Sequence, residues 1–99
     1  VSRARDELVA RRVQPAEPRL MRADGIRRTD KEQRDLDRMF ASTFSPENPA
    51  SLRVLEYLEV ITVRAVLGPE QGDAALRHME GMRALYALIK NSVDRGRAG

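Results

Sequence analysis

The stretch DAALRHMEGMRALYALIKNSV, residues 73–93, decides the fold. Within it Ala75, Met79, Met82, Tyr86, Ile89 and Val93 recur at alternating four- and three-residue spacing, which puts them on one stripe of an α-helix. Gly81 sits in the middle of that stripe, between Glu80 and Met82. A glycine inside a helix costs about 1 kcal/mol relative to alanine. The position therefore predicts that another backbone packs closely there, from the preceding helix or from a neighbouring subunit. Such a segment is built for helix-on-helix packing and carries no evident chemistry.

Moving back along the chain, Gly68-Pro69 stops an earlier helix and Asn48-Pro49 starts it. Its apolar residues, from Leu52, Val54, Leu55 and Leu58 to Ile61 and Val66, cover more than one face. A helix apolar on nearly two sides is buried centrally or shared with another subunit. The β-branched run Val60–Val66 could pass for a strand, but nothing in the chain offers a second strand to pair with it. Thr29-Asp30-Lys31-Glu32 fits a capping box, and the helix after it carries Leu36, Met39, Phe40 and Phe44 before Ser45-Pro46 ends it. Residues 2–13 could form a short helix, and Pro15 and Pro18 break any regular element beyond it.

These signals predict an all-α fold of three helices, at about 30–44, 49–67 and 73–93, with an antiparallel helical hairpin at its core. Residues 1–28 read as a basic flexible arm, irregular or holding a short helix, 29–94 as the helical oligomerisation domain and 95–99 as a basic tail. Phe40, Phe44, Leu55, Leu58, Met82, Leu85 and Ile89 are expected to be mostly buried. The residues expected to carry helix packing and oligomerisation are Leu55, Leu58, Met79, Gly81, Met82, Tyr86 and Ile89.

A chain of 99 residues makes one domain at most and gains from oligomerisation. With 41% apolar residues it is too apolar for full disorder. It has no cysteine, which removes disulfides and thiolate metal sites. No apolar run reaches the ~18 residues of a membrane span, and the polar opening Val1-Ser2-Arg3 does not read as a secretory leader.

Charge is unevenly spread. Residues 1–28 hold eight arginines against Asp6, Glu7, Glu17 and Asp24, a net +4, whereas residues 29–99 hold ten basic and eleven acidic groups, a net −1. Only Lys31 and Lys90 among the 18 basic residues are not arginine. The planar fork of arginine suits phosphate, and a genome rich in guanine and cytosine gives the same bias. Arg3, Arg5, Arg11 and Arg12 are the candidate DNA contacts, made to phosphates and without base discrimination. Residues 14–28, with few apolar anchors, read more readily as a frayed tail than as an arm that orders on nucleic acid or on a neighbouring subunit.

Nothing in the chain assembles a catalytic site. His78 is the only histidine, so a triad or a paired-histidine zinc site is out of reach. Glu56 and Glu59, three apart beside Arg53, suit ion pairing along a helix better than a metal. Phosphate loops, dinucleotide fingerprints and nucleophile elbows are absent. The expectation is a non-enzyme with no cofactor and no metal. A helix-turn-helix reader is disfavoured, because the second helix is too apolar to lie in a groove.

One resemblance goes further. Met39-Phe40, the polar loop with Pro46, Val54-Leu55-Glu56-Tyr57-Leu58, the Gly68-Pro69 break and Glu80-Gly81-Met82-Arg83 before Leu85, Leu88 and Ile89 succeed one another along the chain. In that order the segment from Arg38 to Gly96 resembles a family of small phage-encoded proteins named from an open reading frame in a Bordetella phage. The chain departs from the family pattern after Phe44, where Ser45-Pro46-Glu47-Asn48-Pro49 replaces a glycine-containing loop. The family is encoded near the head and DNA-packaging genes of tailed phages, prophages and gene transfer agents. The resemblance thus implies a DNA-packaging accessory of small-terminase type in the cytoplasm of a bacterial host. Such a protein would be homo-oligomeric, engage the large terminase and hold double-stranded DNA without sequence preference, with no membrane contact. A capsid- or portal-associated structural protein without a DNA role is the second reading, and a DNA-binding regulator the third.

Overall fold

The computed structural model describes residues 17–99. Its fold is all-α, with three helices, α1 (Asp30–Thr43), α2 (Pro49–Thr62) and α3 (Asp73–Ala98). A small hairpin precedes them, in which β1 (Leu20–Met21) pairs antiparallel with β2 (Arg27–Arg28), Leu20 opposite Arg28 and Met21 opposite Arg27. Residues 20–28 therefore form a ribbon where the sequence suggested an irregular arm. Its turn is local chemistry: the Gly25 N–H donates to the Arg22 carbonyl at 2.9 Å, and Gly25 takes φ +83°, which other residues rarely adopt. The Asp24 carboxylate accepts from the Ile26 N–H at 2.9 Å and stiffens the same turn.

Helix α1 starts as its sequence requires. The Thr29 hydroxyl accepts from the Glu32 N–H at 3.1 Å. The reciprocal half of the capping box is diverted, because the Glu32 carboxylate takes a two-pronged bond from Arg19 at 2.7 and 3.1 Å. That contact fastens the hairpin to the first turn of α1.

Two helix ends differ from the expectation. Helix α2 stops at Thr62 rather than near Leu67. The Arg83 guanidinium donates to the Thr62 carbonyl at 3.2 Å and to the Ala65 carbonyl at 2.7 Å, so these groups find partners without a further helical turn. The Thr62 hydroxyl also bonds back to the Leu58 carbonyl at 2.6 Å. Helix α3 runs on past Val93 to Ala98, because residues expected to be a tail are held by α1. Arg95 grips Asp37, and Arg97 donates to the Phe44 carbonyl at 2.7 Å.

The start of α1 and the hairpin lie beside Leu85, Leu88 and Asn91, whereas the end of α1 lies beside Arg97, so α1 runs with α3. Helix α2 runs against it: Thr62 meets Arg83, while Glu59, about a turn earlier, meets Tyr86, about a turn later. The expected antiparallel pair is thus α2 and α3, but the closest backbone approach is between α1 and α3. There a Cβ on Gly96 would overlap the Asp37 carbonyl and lie 2.7 Å from the Ala41 Cβ. Gly81, expected to mark close packing, is exposed, and a Cβ there would meet nothing within 4 Å. Within the subunit the close-packing glycine is Gly96.

The apolar interior is thin. Leu55, Tyr86 and Val93 are its buried members. Phe40, Phe44, Leu58, Met82 and Ile89 are half-buried, and Leu85, expected inside, is 59% exposed.

Candidate assembly surface

Helix α2 carries two stripes. The inner one, Leu52, Leu55, Glu59 and Thr62, faces α3, with Leu55 and Thr62 buried. The outer one is Val54, Tyr57, Leu58 and Ile61, spaced i, i+3, i+4, i+7 as in a helix that packs on a partner helix. Val54 is 52% and Tyr57 60% exposed, and no element of the described chain covers them. Val60, Val63, Val66 and Leu76 are exposed as well.

Beside this outer stripe lies a slot of about 170 Å³ between α2 and α3, lined by Leu58, Ile61, Thr62, Met82, Leu85, Tyr86 and Ile89. Leu85 and Ile89 also border a larger open cleft of about 400 Å³ beneath the hairpin. One apolar path thus crosses α3 from the α2 side to the hairpin. Three hydrophobic residues of the hairpin, Leu20, Met21 and Ile26, are themselves about half exposed.

Of the residues expected to carry packing, Leu55 and Tyr86 are buried inside the subunit, and Leu58, Met79, Met82 and Ile89 are half-buried. Leu58, Met82, Tyr86 and Ile89 come together around the slot. Gly81 does not join them. Tyr57 and Leu85, the most open apolar residues beside the slot, are absent from the expected packing set. The i, i+3, i+4, i+7 spacing that ends on Ile61 is the sequence signal that points to Tyr57.

The arginines of the described region are largely engaged within the fold. Arg22 bonds to Asp30 and to the Arg28 carbonyl, both at 3.0 Å. Arg28 bonds to Asp24 at 2.6 Å and to Gln33 at 3.1 Å, and Gln33 donates onward to Asp37 at 2.9 Å. Arg95 closes the chain on Asp37 with bonds of 2.9 and 3.1 Å and donates to the Ser92 hydroxyl at 3.2 Å. Burial of Asp37 opposes its ionisation, but the bonds from Arg95 and Gln33 outweigh that and hold its carboxyl below the usual range. The Arg28 guanidinium, helped by the Ile26 N–H, does the same to Asp24.

The Glu80-Gly81-Met82-Arg83 segment also acquires a physical role. Glu80 holds the Arg83 guanidinium at 2.8 Å while Arg83 clamps the end of α2. Glu59 pairs with Arg64 at 3.5 Å rather than with Arg53, and accepts from the Tyr86 hydroxyl at 3.4 Å. Burial, and then the charge of Glu59, push the Tyr86 phenol up. Arg3, Arg5, Arg11 and Arg12 lie outside the described residues.

Among the described residues no group of three or more His, Asp or Glu side chains converges as a metal site would need. No described helix is long and apolar enough to cross a membrane. No family model, curated protein or solved structure matches this chain.

Proposed function

We propose that this chain is a non-enzymatic, homo-oligomeric accessory of DNA packaging in a phage-like particle, of small-terminase type, working in the bacterial cytoplasm. The observation that carries the reading is the uncovered apolar stripe of α2. A fold with three buried apolar residues among those described, and an exposed apolar stripe on α2, is suited to being completed by a partner. In this reading the helices make the assembly, and an exposed end of each subunit engages the large terminase.

DNA contact then belongs to Arg3, Arg5, Arg11 and Arg12. Three of the four arginines of the hairpin region, Arg19, Arg22 and Arg28, pair with Glu32, Asp30 and Asp24, and Arg27 is exposed. Arms gathered on one oligomer act together at high local concentration, so weak phosphate contacts add up. The test is a fluorescence anisotropy titration of unrelated duplexes at two salt concentrations, with light scattering on the same samples. Replacing the four arginines with alanine should weaken binding equally for all sequences and flatten the salt slope by up to ~0.9 per lost contact. Unchanged binding by the variant refutes the arm as the DNA contact.

A capsid- or portal-associated structural protein is the second reading. The near-neutral described region favours it, with 14 basic against 13 acidic residues between Glu17 and Gly99. A monomer with no DNA binding at low salt, which orders on a capsid or portal, supports this reading over packaging.

A further inference from the structure

Most arginines of the described fold spend their guanidinium on a carboxylate or a carbonyl, and two neighbours on α1 do not. Arg34 is exposed and forms no ion pair among the described residues. Arg38 is exposed as well, and its carboxylate neighbour, Asp35, stands 4.0 Å away, at the limit of an ion pair. Four residues apart, the two lie on one face of the helix. With Arg95 of α3 they line a hollow of about 40 Å³ at the α1–α3 seam, whose other lining residues are Asp37, Gly96 and Gly99. One water needs about 10–15 Å³ of such space, so the hollow suits a group the size of a phosphate rather than an organic ligand. Asp37 is the acid of this lining, and it is 5% exposed with its oxygens taken by Arg95 and Gln33. Arg95 makes those bonds and one to Ser92 through Nε and Nη2, and its Nη1 has none among the described residues. The lining thus carries a net +2. Residues 17–99 hold 14 basic and 13 acidic groups, so outside the hollow 11 basic face 12 acidic, a net −1. The positive charge of the described fold is gathered at this seam.

We propose that the seam is a second contact for the backbone phosphates of double-stranded DNA, with the Arg34 and Arg38 guanidiniums donating to phosphate oxygens and Arg95 adding its charge. The duplex as ligand rests on the proposed function, whereas the phosphate rests on the seam itself. Lys31 extends the row, since Lys31, Arg34 and Arg38 are spaced i, i+3, i+7 along one face of α1. Asp35 pairs with Lys31 at 3.4 Å, both side chains being largely exposed, and such a pair yields readily to a stronger anion. From Lys31 to Arg38 the helix rises about 10 Å. A DNA strand carries one phosphate per about 3.4 Å of axis, so three cations meet a comparable number of phosphates. Arginine suits this task, because its planar fork can hold two oxygens of one phosphate. Contacts of this kind position a duplex without reading its bases.

The experiment uses the full chain and fluorescence anisotropy with two unrelated duplexes over a range of salt. Arg34→Gln with Arg38→Gln changes exposed positions to a good helix former, so the circular dichroism spectrum and urea midpoint should stay those of wild type. Binding should weaken roughly tenfold at low salt, equally for both duplexes, and the salt slope should flatten by up to ~1.8, or ~0.9 for each of two contacts. The control is Arg53→Gln with Arg77→Gln, which removes the same charge from exposed positions outside the hollow and should leave binding near wild type. An equal loss in the control means that net charge alone acts, and overturns the site. Unchanged affinity and slope in Arg34→Gln with Arg38→Gln also overturns it, and leaves the packaging reading standing on the arm. Inorganic phosphate should compete no better than chloride at matched ionic strength. Displacement of the duplex by phosphate well below that level identifies a free-anion site and overturns DNA as its ligand. A wild-type chain that binds neither duplex at low salt overturns both this site and the packaging reading.

Discussion

The two glycines of α3 should answer the same substitution with opposite signs. At Gly81 an alanine Cβ enters open space, so the helix gains only the propensity difference, a stabilisation of up to about 1 kcal/mol. At Gly96 the same Cβ overlaps the Asp37 carbonyl oxygen and comes within 2.7 Å of the Ala41 Cβ. Backbone atoms cannot swing aside, so α1 must retreat by roughly 1 Å, enough to forfeit a quarter to a half of each close contact. The same retreat stretches the Asp37–Arg95 bonds, now 2.9 and 3.1 Å, beyond hydrogen-bond length. Overpacking costs about 1–3 kcal/mol, and loss of a charged hydrogen bond about 1.5–3. Less the propensity gain, Gly96→Ala should destabilise by about 1.5–5 kcal/mol, a fall in Tm on the order of 10–20 °C. The assay is urea unfolding followed by far-ultraviolet circular dichroism at several protein concentrations, which separates folding from association. A stabilised Gly96→Ala protein refutes the close α1–α3 approach. A Gly81→Ala protein destabilised only at concentrations where subunits associate moves a neighbouring subunit onto Gly81 and refutes the assignment of open space in the assembly.

Asp37 should set the acid limit of the fold. Its folded pKa is depressed, so its contribution is present above the ordinary carboxylate value of about 3.9 and is lost as pH falls through the folded value. Urea midpoints should drop below about pH 4, and Asp37→Asn should flatten that drop while lowering stability near neutrality by about 1–3 kcal/mol. A pH profile identical to wild type counts against the Asp37–Arg95 pair. Arg83→Met should leave the Thr62 and Ala65 carbonyls without their donor and destabilise by about 1–3 kcal/mol, whereas Glu80→Gln, at an exposed pair, should cost under about 1 kcal/mol. Hydrogen exchange should show the last turn of α2 opening first in Arg83→Met, and uniform loss of protection would contradict the clamp.

Helix starts are legible in the sequence because their causes are local. Thr29 caps α1 three residues from its partner, Pro49 opens α2 although the Asn48 side chain makes no capping bond, and Gly72 precedes α3. Helix ends are not, because their causes lie far along the chain. Arg83 reaches Thr62 across 21 residues and Arg95 reaches Asp37 across 58, and no period in the sequence encodes either meeting. Gly81 shows the limit of a propensity argument: a glycine in a helix marks a place where a side chain is dispensable, and only the partner helix decides whether one is forbidden. The hairpin is open to a closer reading, since Asp24-Gly25 is a strong turn signal. Its strands are two residues each, too short for an alternating pattern to register. The apolar excess of α2 is visible in its sequence, but the division into a covered stripe and an open one depends on where α3 lies.

The abundance of arginine invites two explanations, phosphate binding and codon bias, and the fold supplies a third that bears on both. Five of the described arginines make two or more directed bonds inside this small structure. Arg19 ties the hairpin to Glu32, Arg22 holds Asp30 and the Arg28 carbonyl, Arg28 ties β2 to Asp24 and Gln33, Arg83 holds carbonyls at the end of α2, and Arg95 ties α3 to Asp37. Lysine could supply the charge but not two or three directed bonds from one planar group. Where three apolar residues are buried among those described, such bonds supply orientation that a thicker core would give by packing. An arginine engaged in this way keeps its charge but offers less to a phosphate, because part of its donor set is engaged and a carboxylate or carbonyl sits beside it. Composition therefore overstates how basic the folded surface is toward DNA. Under the packaging hypothesis the arginines before residue 17, with Arg34 and Arg38, then carry the phosphate contact, and assembly through the apolar stripe of α2 is a separate, independently testable step.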